Sequence, residues 1–127
     1  MDFGTIQTLQ RLEVTTGRGF KATTKSYGYR IVTNKCDIRI EFPENKCDNC
    51  ECIPDPADIS QFYGRQIHDI CINDGDNRVR SINELSEYSN VHQIEFITGR
   101  GRLRFSFKTD NCTADCHGIV TSLIPDN

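Results

Sequence analysis

The sequence has no tryptophan, a single methionine and no long hydrophobic run. Its unbroken apolar stretches are only a few residues, far short of the ~20 a helix needs to cross a bilayer, so no segment reads as a membrane span. A basic excess is also missing. The formal net charge of −3 argues against a general nucleic-acid binder and leaves any basic surface local. The opening MDFGTIQTLQ lacks the basic start and apolar stretch of a secretory leader, so a secreted form would be a mature or excised domain with an added Met1. Gly-x-Ser-x-Gly, His-Glu-x-x-His and phosphate-cradling glycine loops do not occur, and His68, His92 and His117 are scattered along the chain. An enzyme is therefore poorly supported, although the presence of Cys and His leaves a cysteine nucleophile open. Apolar residues make up only 36% of the chain against 26% charged, which predicts a thin core in need of covalent help. The 127 residues suit a single domain, 1–127.

What the chain does have is cysteine: Cys36, Cys47, Cys50, Cys52, Cys71, Cys112 and Cys116. Three chemistries compete for them. Cys47-x-x-Cys50 has zinc-knuckle spacing, and its only comparable partner is Cys112-x-x-x-Cys116-His117, about sixty residues away. A redox Cys-x-x-Cys belongs at the start of a helix, and Pro54 and Pro56 follow too closely for one. Disulfides fit the cysteine density beside a thin core, and Asn111-Cys112-Thr113 matches the N-glycosylation acceptor at Asn111. The preferred reading is a secreted, disulfide-bonded chain. The expected bridges are Cys112–Cys116, Cys52–Cys71, and Cys36 to Cys47 or Cys50. Seven is odd, so one thiol is left free or offers a route to a disulfide-linked homodimer.

The dominant periodicity is two. Ile38, Ile40 and Phe42 alternate with Arg39 and Glu41, and Leu103, Phe105 and Phe107 alternate with Arg102, Arg104, Ser106 and Lys108. Such alternation reads as strands with one buried face. Residues 26–33, 61–67 and 118–124 are further strand candidates. Only SINELSEYSN looks helical, for a turn or two, with Ser81 and Glu84 as a capping box. TGRG occurs at Thr16–Gly19 and Thr98–Gly101, in each case between alternating segments. In the second copy a hairpin pairs Phe96 with Leu103, Ile94 with Phe105 and Glu95 with Arg104; in the first, a three-residue loop pairs Val14 with Phe20 and Glu13 with Lys21. NDGDN (73–77) imitates a calcium loop but lacks the ligand order and closing Glu, and reads as a hairpin turn. Many short strands with glycine-bearing turns imply an all-β antiparallel sandwich or jelly roll, disulfide-stabilised, with KCDNCECIPDPAD as a long irregular loop.

IRIEF is followed by CIPD and FYG, and the chain closes on GRLRFSFKTDNCTADCHGIVTSL. On these motifs, residues 29–124 resemble a CUB domain, an extracellular β-sandwich module. The chain departs from the family at Tyr63, where a Cys is expected, and in having no Cys before position 36. The resemblance implies a Ca²⁺ site on loops at one end, with Asp55 and Asp110 as two ligands and Glu44, or alternatively Glu51, as the third. Turn chemistry alone also accounts for both aspartates.

The basic residues bear on partners. Arg102, Arg104 and Lys108 share one strand face, Arg100 sits at its turn, and Arg18, Lys21 and Lys25 belong to the other TGRG region. Together they predict either a cationic patch for a sulfated or acidic glycan or an acidic protein, or a solvated face partly neutralised by Glu95. The reading is a secreted, non-catalytic binding or structural module that recognises an extracellular protein or glycan. Its alternatives are an intracellular zinc-binding domain built on Cys47, Cys50 and Cys52 with Cys71 or the 112–117 cluster, and a disulfide-linked component of an extracellular matrix or fibre.

Overall fold

A computed structural model describes residues 3–16, 19, 23–42, 50–73, 77–88, 90–109 and 118–123. It is all-β, with two antiparallel sheets. One sheet has the order β1-β2-β3-β9 and contains β1 (Ile6–Thr16), β2 (Thr23–Thr33), β3 (Asp37–Glu41) and β9 (Ile119–Leu123). The other has the order β4-β8-β7-β5-β6 and contains β4 (Cys50–Asp55), β5 (Ile67–Ile72), β6 (Asn77–Arg78), β7 (Gln93–Thr98) and β8 (Gly101–Thr109). The helical elements among the described residues are short 3-10 turns, including Ser60–Phe62 and Asn83–Glu87.

Period-two patterning builds the core. Ile38 and Ile40 of β3, Ile70 and Ile72 of β5, Ile94 and Phe96 of β7, and Leu103, Phe105 and Phe107 of β8 all face inward and are buried. Aromatic rings knit the layers: Tyr29 lies 4.6 Å from Phe105, and Phe42 meets Phe107 edge-on at 4.8 Å. The core is not thin. It runs continuously from Phe3 to Val120, and side chains of this size each contribute about 1.5–3 kcal/mol on burial. Low overall hydropathy was a poor guide because the apolar residues occupy the inward positions almost without waste.

The second TGRG hairpin has the expected register, Phe96 opposite Leu103 and Glu95 opposite Arg104, closed by Thr98 opposite Gly101. The first does not. Glu13 pairs with Ser26 and Thr16 with Thr23, so six residues separate the strands instead of three. A bulge at Tyr27 and a second near Gln7 adjust the ladder, a feature that alternation alone cannot locate. Residues 61–67 are not a strand. A 3-10 turn at Ser60–Phe62 and the left-handed Gly64 (φ 79°) turn the chain before β5 begins at Ile67. The supposed loop at 50–55 is instead strand β4, paired with β8 from Cys50↔Thr109 to Asp55↔Arg104. Near Ser81 the capping geometry half holds: Ser81 Oγ accepts from the Glu84 N–H, but Glu84 reaches back to the Arg80 N–H.

Candidate functional site

The outward face of the five-stranded sheet carries the expected basic residues. Reading across the ladders, one row runs Asp55, Arg104, Glu95, Cys71, Arg78. Lys108 stands opposite Glu51, and Arg102 opposite Ile97. Glu95 is almost completely buried and takes both arginines: Arg104 Nη2 lies 3.1 Å from Oε1, and Arg102 Nη1 lies 3.4 Å from Oε2. Arg78 approaches Asp69 at 3.9 Å. Glu51, Asp55, Asp69 and Glu95 thus balance Arg78, Arg102, Arg104 and Lys108. Among the described residues this face alternates in charge, with Arg100 exposed at the hairpin turn. Arg18 and Lys21, and the side chain of Lys25, lie outside the described residues.

The cysteines divide into two groups. Cys36, Cys52 and Cys71 are buried free thiols. Cys36 and Cys52 pack as small apolar members of the core, and Cys36 Sγ lies 3.4 Å from Thr33 Oγ1. Burial pushes the Cys36 thiol up, with the Thr33 contact opposing, and burial alone raises Cys52 strongly, so neither is ionised at neutral pH. Cys71 faces the other way, under the charged lattice between Glu95 and Arg78. The expected Cys52–Cys71 bridge is excluded. Strands β8 and β7 separate β4 from β5, a span of roughly 14 Å, whereas a disulfide needs Cα atoms within about 7 Å. Cys36 makes no bond to Cys47 or Cys50 either. Cys47, Cys112, Cys116 and the side chain of Cys50 lie outside the described residues, as does the Asn111 acceptor.

Of the calcium ligands that the CUB resemblance implies, Asp55 ends β4 opposite Arg104, and the alternative ligand Glu51 stands opposite Lys108. Glu44 and Asp110 lie outside the described residues. Among the described residues no group of three or more His, Cys, Asp or Glu is placed to hold a metal. NDGDN is a hairpin connection, with Ile72 paired to Asn77. Asn73 serves the fold: its Oδ1 accepts from the His92 N–H at 2.7 Å, and its Nδ2 donates to the Asn90 carbonyl.

A concave feature that alternation did not reveal lies between the sheets. Beyond β3 the β1–β2 hairpin continues as a two-stranded ribbon over the edge of β4. The gap between them is a groove of about 430 Å³ lined by Arg11, Ser26 and Tyr29 on the ribbon side and Glu51–Pro54, Ala57 and Ile59 on the other. Arg11 Nε is 3.2 Å from Glu13 Oε1, with both side chains half-exposed. Burial raises the Tyr29 hydroxyl, partly offset by Ser26 and Arg11, so it stays protonated and able to donate. No helix among the described residues is long and apolar enough to cross a membrane. Compared with protein-family models, curated proteins and solved structures, the chain matches none.

Proposed function

We propose that this chain is a secreted, non-catalytic recognition module of CUB-like type that binds an extracellular protein. The observation that carries the reading is the pairing of Cys50 with Thr109. Cys47 stands three residues before Cys50, and Cys112 three residues after Thr109, so both remaining cysteine pairs are tethered to one end of the β4–β8 ladder. With Cys36, Cys52 and Cys71 buried as thiols, Cys47, Cys50, Cys112 and Cys116 form an even set. Two bonds within that set would staple the sheet end, and no thiol is left over for a covalent dimer. A sulfated glycan is disfavoured as partner because Glu95 already engages Arg102 and Arg104.

The same convergence supports a second reading. Cys-x-x-Cys and Cys-x-x-x-Cys at one sheet end are also a four-thiolate zinc set, which would place the chain in a reducing compartment. Intact mass spectrometry decides between them. Alkylation after denaturation without reductant is expected to label three thiols, and reduction then adds about four hydrogens and opens four more. Seven thiols without reductant, together with a chelator-sensitive zinc adduct, would overturn the extracellular reading.

A further inference from the structure

We propose that the outward face of the four-stranded sheet is a self-complementary surface on which a second copy of this chain docks. Ile38 and Ile40 of β3 point into the core, so Asp37, Arg39 and Glu41 between them are committed to the outside. Strand pairing sets Arg30 of β2 directly opposite Arg39. Two guanidinium groups therefore stand beside the one carboxylate of Asp37, and Arg30 takes it, with Nε at 3.0 Å from Oδ1 and Nη2 at 2.6 Å from Oδ2. Arg39 stays exposed, and neither it nor Glu41 has an ion-pair partner among the described residues. Like charges directly opposite one another are unfavourable in a sheet, and an external carboxylate over Arg39 relieves them.

The charges select the occupant. Arg30 and Asp37 cancel, which leaves one cation and one anion, Arg39 and Glu41, two residues apart on β3. A two-fold axis lying between two stacked sheets and crossing β3 near Ile40 runs the facing strands antiparallel. It places Arg39 over Glu41 of the second copy and Glu41 over Arg39 of that copy, so both leftover charges are met at once. An acidic or a basic macromolecule would meet only one of them. Apolar groups flank the pair: Val32 and Ile119 are half-buried, and Leu123, opposite Asp37, is 67% exposed. The other large exposed apolar residues among those described have work in the fold. Ile53 lines the groove, and the Tyr63 hydroxyl accepts from the Leu9 N–H and donates to the Leu9 carbonyl on the β1 edge. On the five-stranded sheet, by contrast, Glu95 already engages Arg102 and Arg104. Four strands about 4.8 Å apart, along the five residues of β3, give a flat footprint of roughly 300 Å² per copy. That is small for a stable dimer, so the association is weak and shows only at high concentration.

The inference rests on neither the compartment nor the thiols: the thiol count tests the extracellular reading and leaves this face untouched. Sedimentation equilibrium of the intact protein reads the dimer. The wild type is expected to dimerise reversibly, with Kd between about 10 and 300 µM. Arg39→Glu and Glu41→Lys, with melting curves as folding controls, are each expected to weaken self-association about tenfold or more, because like charges then face each other across the axis. Mixed in equal amounts, the two variants are expected to recover wild-type association, since each copy supplies the charge that the other lacks. Leu123→Asp is expected to weaken association with the charged pair intact. Arg39 and Leu123 are both exposed, so the test stands on those two variants if Glu41→Lys does not fold. A wild type still monomeric at about 1 mM would overturn the proposal and leave the face to a different protein. Folded single variants that dimerise as the wild type does would overturn it too, and would mean association through another surface. So would a mixture of folded variants that stays monomeric.

Discussion

Replacing Glu95 by Ala tests whether the charged lattice is an organised structure or a chance alignment of surface residues. Glu95 retains 6% of its exposure, while the Arg104 and Arg102 side chains keep 40% and 65%. The arginines can therefore return to water when the carboxylate goes, but Glu95 cannot when they do. Glu95→Ala should cost about 1–2 kcal/mol, mainly through lost charge-assisted hydrogen bonds. Arg104→Met should cost more than Arg102→Met, because Arg104 offers both Nε and Nη2 to Oε1 and is less solvated. A double-mutant cycle by urea denaturation reads the Glu95–Arg104 coupling directly, with about 0.5–1 kcal/mol expected for this partly exposed pair. Coupling below about 0.2 kcal/mol, or equal losses for the two arginines, would refute the reasoning, and the basic residues would again be available to a glycan.

Further outcomes follow from individual contacts. Gly118→Ala should destabilise by about 1–3 kcal/mol, because an added Cβ would overlap the Phe107 ring, whereas Gly99→Ala meets nothing and should be near neutral; thermal melts distinguish the two. Tyr63→Phe should cost about 1 kcal/mol and speed hydrogen exchange at the Leu9 amide, since the hydroxyl closes that edge. Arg30 holds the Asp37 carboxyl below its usual range, so its contribution is present at neutral pH and is lost as pH falls through that lowered value. Asp37→Asn should flatten that part of the acid-denaturation curve. Cys36, Cys52 and Cys71 should resist alkylation in the native protein and react on unfolding, as measured by mass.

The β8 and β3 alternations, the second hairpin and its register were legible in the sequence because each inward residue is apolar and each outward one polar. The first hairpin misled because its ribbon extends beyond the sandwich, where Arg11 and Glu13 stay exposed and the burial pattern no longer applies. β4 was hidden by Pro54 and by cysteines that suggested a loop, although proline on an edge strand and buried thiols are both ordinary strand chemistry. The cysteine partners were illegible for a different reason: spacing along the chain does not reveal that two strands lie between Cys52 and Cys71.

The pairing of β3 with β9 joins residues 37–41 to 119–123. During synthesis, Ile38 and Ile40 must therefore wait on an open edge until some eighty further residues have emerged. Closure over so long a loop makes maturation slow and leaves a sticky half-sheet in the interim. Truncations that remove β9 should be handled as aggregating intermediates, even though they spare most of the interior.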